Sequence, residues 1–137
     1  MEKIFLQGDY IRPTVNIDPD KGLIELKGNF LCNGSETGNL NSKVISWIEE
    51  YTRHPKKHTT ISLSLDAFNI SASQKILQIL YLLNNIYKKG YDVTAEWHYN
   101  EANDDMEEVG KDFENMVDFP FHFISHPKEN KILESMY

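Results

Sequence analysis

Thr60-Ile61-Ser62-Leu63-Ser64-Leu65-Asp66-Ala67-Phe68-Asn69-Ile70-Ser71-Ala72-Ser73-Gln74-Lys75 decides the fold. Its first seven residues alternate polar and apolar side chains, the period of a strand with one buried face. From Ala72 the period changes. Ile76, Leu80, Leu83 and Tyr87 recur at helical spacing, Leu77 and Ile79 widen the stripe, and Gly90 ends a helix expected over Ala72–Lys89. Ser71 and Gln74 stand three apart and fit a capping box at its entrance. A strand running into a long helix is the repeating unit of a sheet with helices packed on it.

The neighbouring segments extend that unit. Downstream, Tyr91–Tyr99 reads as a strand with Val93, Ala95 and Trp97 on alternate positions. Asp104 or Asp105 is the expected cap of a helix over Met106–Val117, whose Met106, Val109, Phe113 and Val117 face inward. Phe119–Ser125 is the expected last strand. Upstream, Ile4–Ile11 and Thr14–Asp18 read as strands. Pro19-Asp20-Lys21-Gly22 is a turn, and Leu23–Gly28 returns as the second arm of a hairpin. Gly34–Gly38 reads as a loop. A helix over Leu40–Arg53, capped by Asn39 or Asn41, lines up Val44, Trp47, Ile48 and Tyr51, and Pro55 closes it.

The resulting order, β-β-β-α-β-α-β-α-β, predicts an α/β fold: a small two-layer sandwich with a mixed sheet, an opening β-hairpin and three helices. The alternation of Thr60–Asp66 predicts that only one sheet face is fully covered. Residues 1–126 are expected to form one domain and 127–137 a polar C-terminal tail.

Composition narrows the function. The 137 residues are 40% hydrophobic and 26% charged, ordinary values for a soluble protein able to bury a core. The formal net charge of −7 argues against nucleic acid and is compatible with a basic protein partner. Met1–Tyr10 does not read as a signal peptide, and the apolar run Ile76–Ile86 is broken by Gln78, Asn84 and Asn85, so no membrane insertion is expected. The lone Cys32 suits a reducing compartment, the cytoplasm.

Little reactive chemistry converges. The five histidines, His54, His58, His98, His122 and His126, show no zinc spacing, and neither a metal nor a cofactor is expected. Asp104, Asp105, Glu107 and Glu108 form an acidic cluster. It reads as support for a helix N-terminus rather than as a cation loop, with docking of a basic partner left open. The seven glycines are scattered, and no phosphate loop or nucleophile elbow is present. The segment that stands out is again Asp66–Lys75. A helix entrance offers free N–H groups and the positive dipole end, where a phosphoryl group would change the local charge most.

This segment, Leu65–Lys75, resembles the turn of the SiaC-family regulatory phosphoproteins. Arg12-Pro13-Thr14-Val15 is similar to that family's Thr-Pro segment. Trp97-His98-Tyr99 followed by Asn103–Phe113 resembles its strand end and acidic helix, and Phe119-Pro120-Phe121 its closing strand. The resemblance implies a STAS-like fold and partner switching. A kinase and a phosphatase would set the phosphorylation state, and the unmodified form would bind a protein such as a diguanylate cyclase. Two positions depart. The family's acceptor Thr is replaced by Ile70, and its loop after the third strand by Cys32-Asn33-Gly34.

Three functions follow as expectations. The first is a non-enzymatic regulatory module phosphorylated at Ser71 or Ser73, with Phe68, Asn69, Ile70, Ser71 and Lys75 contacting the partner. The second is a constitutive docking domain without the switch. The third is a small enzyme using His98 with Asp104 and Asp105.

Overall fold

The computed structural model describes residues 1–31 and 40–127. The readings made for Cys32-Asn33-Gly34, the Gly34–Gly38 loop, a side-chain cap at Asn39 or Asn41, and the tail beyond Pro127 lie outside the described residues. The elements are β1 (Ile4–Leu6), β2 (Thr14–Asp18), β3 (Leu23–Phe30), α1 (Leu40–Arg53), β4 (His58–Phe68), α2 (Ile70–Lys88), β5 (Asp92–Asn100), α3 (Asp104–Glu114) and β6 (Phe121–His126).

The sheet runs in sequence order, β1 to β6. β1, β2 and β3 pair antiparallel; β3 through β6 pair parallel. Three crossovers that step in the same direction, each right-handed as such units are, place their helices on one face. The buried side chains agree. Val15, Ile17, Ile24, Leu26, Ile61, Leu63, Leu65, Val93, Ala95 and Trp97 alternate along the strands and share one core with Ile48, Ile76, Leu80, Leu83 and Phe113 of the helices. The opposite face carries a row set by register, Phe5-Asn16-Glu25-Ser62-Glu96-His122. The expected two-layer architecture is thus present, and no helix covers this second face among the described residues. None of those helices is long and apolar enough to cross a membrane.

Several boundaries differ from expectation, each for a local reason. β1 stops at Leu6 instead of Ile11 because Asp9 folds the chain back. Its carboxylate accepts from the backbone N–H groups of Ile11 and Arg12, both at 2.8 Å. Gly8 is required there, since a Cβ would lie 2.4 Å from the Arg12 carbonyl oxygen. α2 begins at Ile70, so Ser71 is not the cap. Asn69 fills that place, and its side chain accepts from Ala72 N–H at 3.0 Å. Asn103 likewise caps α3 in place of Asp104 or Asp105, accepting from Met106 N–H at 3.0 Å. The acids Asp104, Asp105 and Glu107 then fall within the first turn, where the helix dipole favours them. α3 ends at Glu114, short of Val117, and β6 starts at Phe121, after Pro120.

β4 is longer than the alternation predicts, reaching Phe68. It passes a bulge: Gly28 faces Leu65, but Asn29 faces Ala67, leaving Asp66 as the extra residue. One inserted residue exchanges the two faces of the strand. Phe68 therefore turns back to the core face, where it meets Trp97 edge-on with ring centroids 6.4 Å apart.

Candidate functional site

The bulge is what builds the site. Without it Ala67 would continue the core face of Ile61, Leu63 and Leu65, Phe68 would point to the uncovered face, and the chain would enter α2 on a different course. With it, Phe68 rests on Trp97 and on Phe113, centroids 6.4 Å apart in each pair. Trp97 is anchored in turn. Its indole N–H donates to the Met106 carbonyl at 2.9 Å, and its ring lies so close to Gly110 that a Cβ there would come within 2.5 Å. The aromatic base under the turn is therefore stiff.

On this base the expected contact residues separate. Ile70, the first residue of α2, is 79% exposed. Asp66 and Ala67 are exposed, and Phe68, Ser71 and Lys75 are half-buried. Asn69 is exposed and occupied by capping. The two candidate serines differ. Ser73 donates its hydroxyl to the Ile70 carbonyl at 2.6 Å, whereas the Ser71 hydroxyl makes no hydrogen bond among the described residues. Ser71 sits in the first turn of α2, which holds no acidic residue.

The structure adds two residues that the sequence pattern hid. The β1–β2 loop reaches the same end of the sheet, tied there by Asn29 Nδ2 donating to the Tyr10 carbonyl at 2.9 Å and Leu31 N–H to the Ile11 carbonyl at 2.8 Å. Tyr10 is 78% exposed and Ile11 also lies open. Both sit in the stretch expected to be strand, so nothing marked them as displayed. The Asp9 carboxylate that shapes this loop is held below the usual carboxylate range by the backbone N–H groups of Arg12 and Ile11.

Beside Asp66 opens a broad cleft of about 930 Å³, whose walls include Ser64, Asp66, His98, Asn103, Met106 and His126. His98 does not meet Asp104 or Asp105. Its partners are His126, with Nδ1 to Nε2 at 2.9 Å, and Glu96, with Nε2 to Oε1 at 3.4 Å. The reason is strand parity: Trp97 points to the helices, so His98 points to the uncovered face. Of the acids on α3, Glu107 accepts from the Tyr99 hydroxyl at 2.6 Å, and that carboxylate pushes the Tyr99 phenol above its ordinary range. Among the described residues no group of three or more His, Cys, Asp or Glu is arranged to hold a metal ion. The three-residue enzyme constellation is not assembled.

One end of the sheet thus leaves Ile70, Tyr10 and Ile11 exposed beside the aromatic cluster of Phe68, Trp97 and Phe113. The chain belongs to the SiaC family: the family model described as "SiaC family regulatory phosphoprotein" matches residues 6–126. It is accordingly a regulatory protein and not an enzyme.

Similar proteins agree with the fold. An uncharacterised protein of Pseudomonas aeruginosa strain UCBPP-PA14 is 25% identical over 126 residues, spanning 92% of this chain and 98% of that one. A chain in the crystal structure of the diguanylate cyclase SiaD in complex with its activator SiaC, from Pseudomonas aeruginosa, superposes with a TM-score of 0.79. The identity is 25%, covering 90% of this chain and 99% of that one. Apo-SiaC of the same organism gives a TM-score of 0.80 at 24% identity, with 90% and 99% covered.

Proposed function

We propose that this chain is a cytoplasmic regulatory module that docks a signalling enzyme, such as a diguanylate cyclase, through Asp66–Lys75. Residues 1–126 act as the regulatory unit and 127–137 as a tail. The observation that carries the reading is Ile70. A large apolar residue, 79% exposed at the first position of a helix, contributes nothing to the core. A contact surface is the economical reason for it. Phe68, Asn69, Ser71 and Lys75 surround it.

Control comes from reversible phosphorylation of Ser71 by a kinase and a phosphatase. A phosphate there would face the open N–H groups of α2, and its charge of nearly two units would oppose docking of an apolar side chain on Ile70. Ser73 is the second candidate, with its hydroxyl already engaged at Ile70. A constitutive docking domain is the second reading. It is favoured by Ile70 itself, which occupies the position where the family resemblance places the acceptor Thr and carries no hydroxyl.

The test is phosphopeptide analysis of protein from its native cells, with Ser71→Ala and Ser73→Ala, joined to calorimetric binding of the purified cyclase. Phosphate at Ser71 and binding lost in Ile70→Asp are expected. No phosphate under any condition would leave the constitutive reading; equal binding by wild type and Ile70→Asp would remove docking at this turn.

A further inference from the structure

The displayed apolar residues form part of a longer rim with a charge of its own. The rim follows the C-terminal ends of the parallel strands. On one side stands the β1–β2 loop with Tyr10 and Ile11, joined to the end of β3. In the middle is Ile70, two residues beyond the β4 residue that pairs with Phe30 of β3. On the other side β5 ends at Asn100, and α3 begins with the exposed Asp104 and Asp105. Asp66 lies between, on the wall of the cleft that it shares with Asn103. From β2 to β5 is three strand spacings, roughly 15 Å.

Charge on this rim is unequal. Arg12, Lys27, Lys43 in the first turn of α1, and Lys75 are its cations among the described residues. Against them stand Asp9, Asp66, Glu101, Asp104, Asp105, Glu107 and Glu108. The backbone N–H groups of Arg12 and Ile11 hold the Asp9 carboxylate below its usual range. The other end of the sheet is different: there Arg53, Lys56, Lys57, Lys88 and Lys89 offset the acids around them. Much of the net negative charge is thus gathered around the exposed apolar residues.

The shape restricts the partner further. Strands end at this rim and present no free edge, since the sheet edges are β1 and β6. An extended peptide would find no ladder to join. A helix satisfies its own backbone and offers side chains alone, and three turns of it cover about 16 Å.

We infer that the rim formed by Tyr10, Ile11, Ile70, Asp66, Asp104 and Asp105 is an interaction surface for an amphipathic helix whose apolar stripe is flanked by Lys and Arg. The inference rests on docking at Asp66–Lys75 and names the chemistry of what docks there. Ile70 and Tyr10 take the apolar stripe, and the carboxylates on either side set its register and speed its approach.

The test uses the full chain, ¹⁵N-labelled, with two synthetic helical peptides. They share one apolar stripe; the first is flanked by Lys and Arg, the second by Glu in the same places. The basic peptide is expected to shift the amides of Tyr10, Ile11, Ile70 and Asp104, less so as salt rises, and the acidic peptide to leave them in place. Asp104→Asn/Asp105→Asn should weaken the basic peptide several-fold, and Asp104→Lys/Asp105→Lys by about 10-fold or more. Lys88→Glu/Lys89→Glu, at the far end, should change nothing. Equal response to the two peptides, shifts confined to other surfaces, or unchanged affinity in both charge variants would overturn the inference. The cyclase is a separate arm. Binding of the basic peptide without binding of the cyclase would leave this surface standing and remove the cyclase as partner. Cyclase binding through Ile70 that ignores salt and both charge variants would do the reverse.

Discussion

The two ends of β4 are built on opposite terms. At its start, polar groups are buried and matched. The Tyr51 hydroxyl lies 2.8 Å from the Thr59 hydroxyl and accepts from Lys56 N–H at 3.2 Å, and Thr60 N–H donates to the Gly22 carbonyl at 2.8 Å. Gly22 adopts φ 64°, and its bare Cα faces the His58 carbonyl. At the far end of the same strand a bulge breaks the ladder, and the next helix opens on an exposed isoleucine. One end closes the fold. The other leaves an apolar side chain in water, where it adds nothing to the core.

That contrast can be broken at the closed end first, where the largest loss is expected. Gly22→Ala would require a left-handed alanine with its Cβ 2.3 Å from the His58 carbonyl oxygen. Backbone must move to admit it, so about 3 kcal/mol or more of stability should go. Urea unfolding measures this; a loss under 1 kcal/mol would mean that the β2–β3 turn and the start of β4 are less rigid than their bonds imply. Tyr51→Phe is a gentler cut. It deprives the fully buried Thr59 hydroxyl and the Lys56 N–H of their partner, for about 1–2 kcal/mol.

Crossing to the open end, Asn69→Ala removes the α2 cap and should cost about 1 kcal/mol. The same variant decides between caps: if Ser71→Ala were the more damaging substitution, the helix would start where its sequence suggests.

Why the sequence misplaces that start is instructive. The alternation Ile61, Leu63, Leu65 and the stripe Ile76, Leu80, Leu83 are read by period alone, and every one of these residues is buried. Period carries the core because burial acts on each residue separately. The site depends instead on relations between segments. The bulge at Asp66 exists only against Gly28 and Asn29 on the neighbouring strand, and nothing in Asp66-Ala67-Phe68 itself signals it. Asn69 and Ser71 are both good caps, and the choice between them is made by where that bulged strand ends. Tyr10 and Ile11 read as strand residues because an apolar pair carries no mark of exposure. The Asp9 turn that displays them is three weak local bonds, visible only when closed. In the sequence Ile70 stands out only as the residue at the place where the family resemblance puts a Thr. Its meaning required its exposure.

Ile70→Asp separates the two ends most sharply, although its effect on stability is the smallest of the four. Little buried area is lost, because the side chain is 79% exposed. The new carboxylate enters a first turn that has no acid, where the dipole favours it by about 0.3–1 kcal/mol. Unfolding should therefore be unchanged or slightly harder. Partner binding should nonetheless fall by tenfold or more, in the range of an interface anchor. Ile70→Ser, which removes the apolar surface without adding charge, should weaken binding as well. If Asp abolished binding and Ser did not, charge exclusion and not apolar contact would govern the turn, and the case for phosphate control at Ser71 would gain over constitutive docking. If either variant unfolded more easily by over 1 kcal/mol, Ile70 would belong to the fold and the contrast between the two ends would collapse.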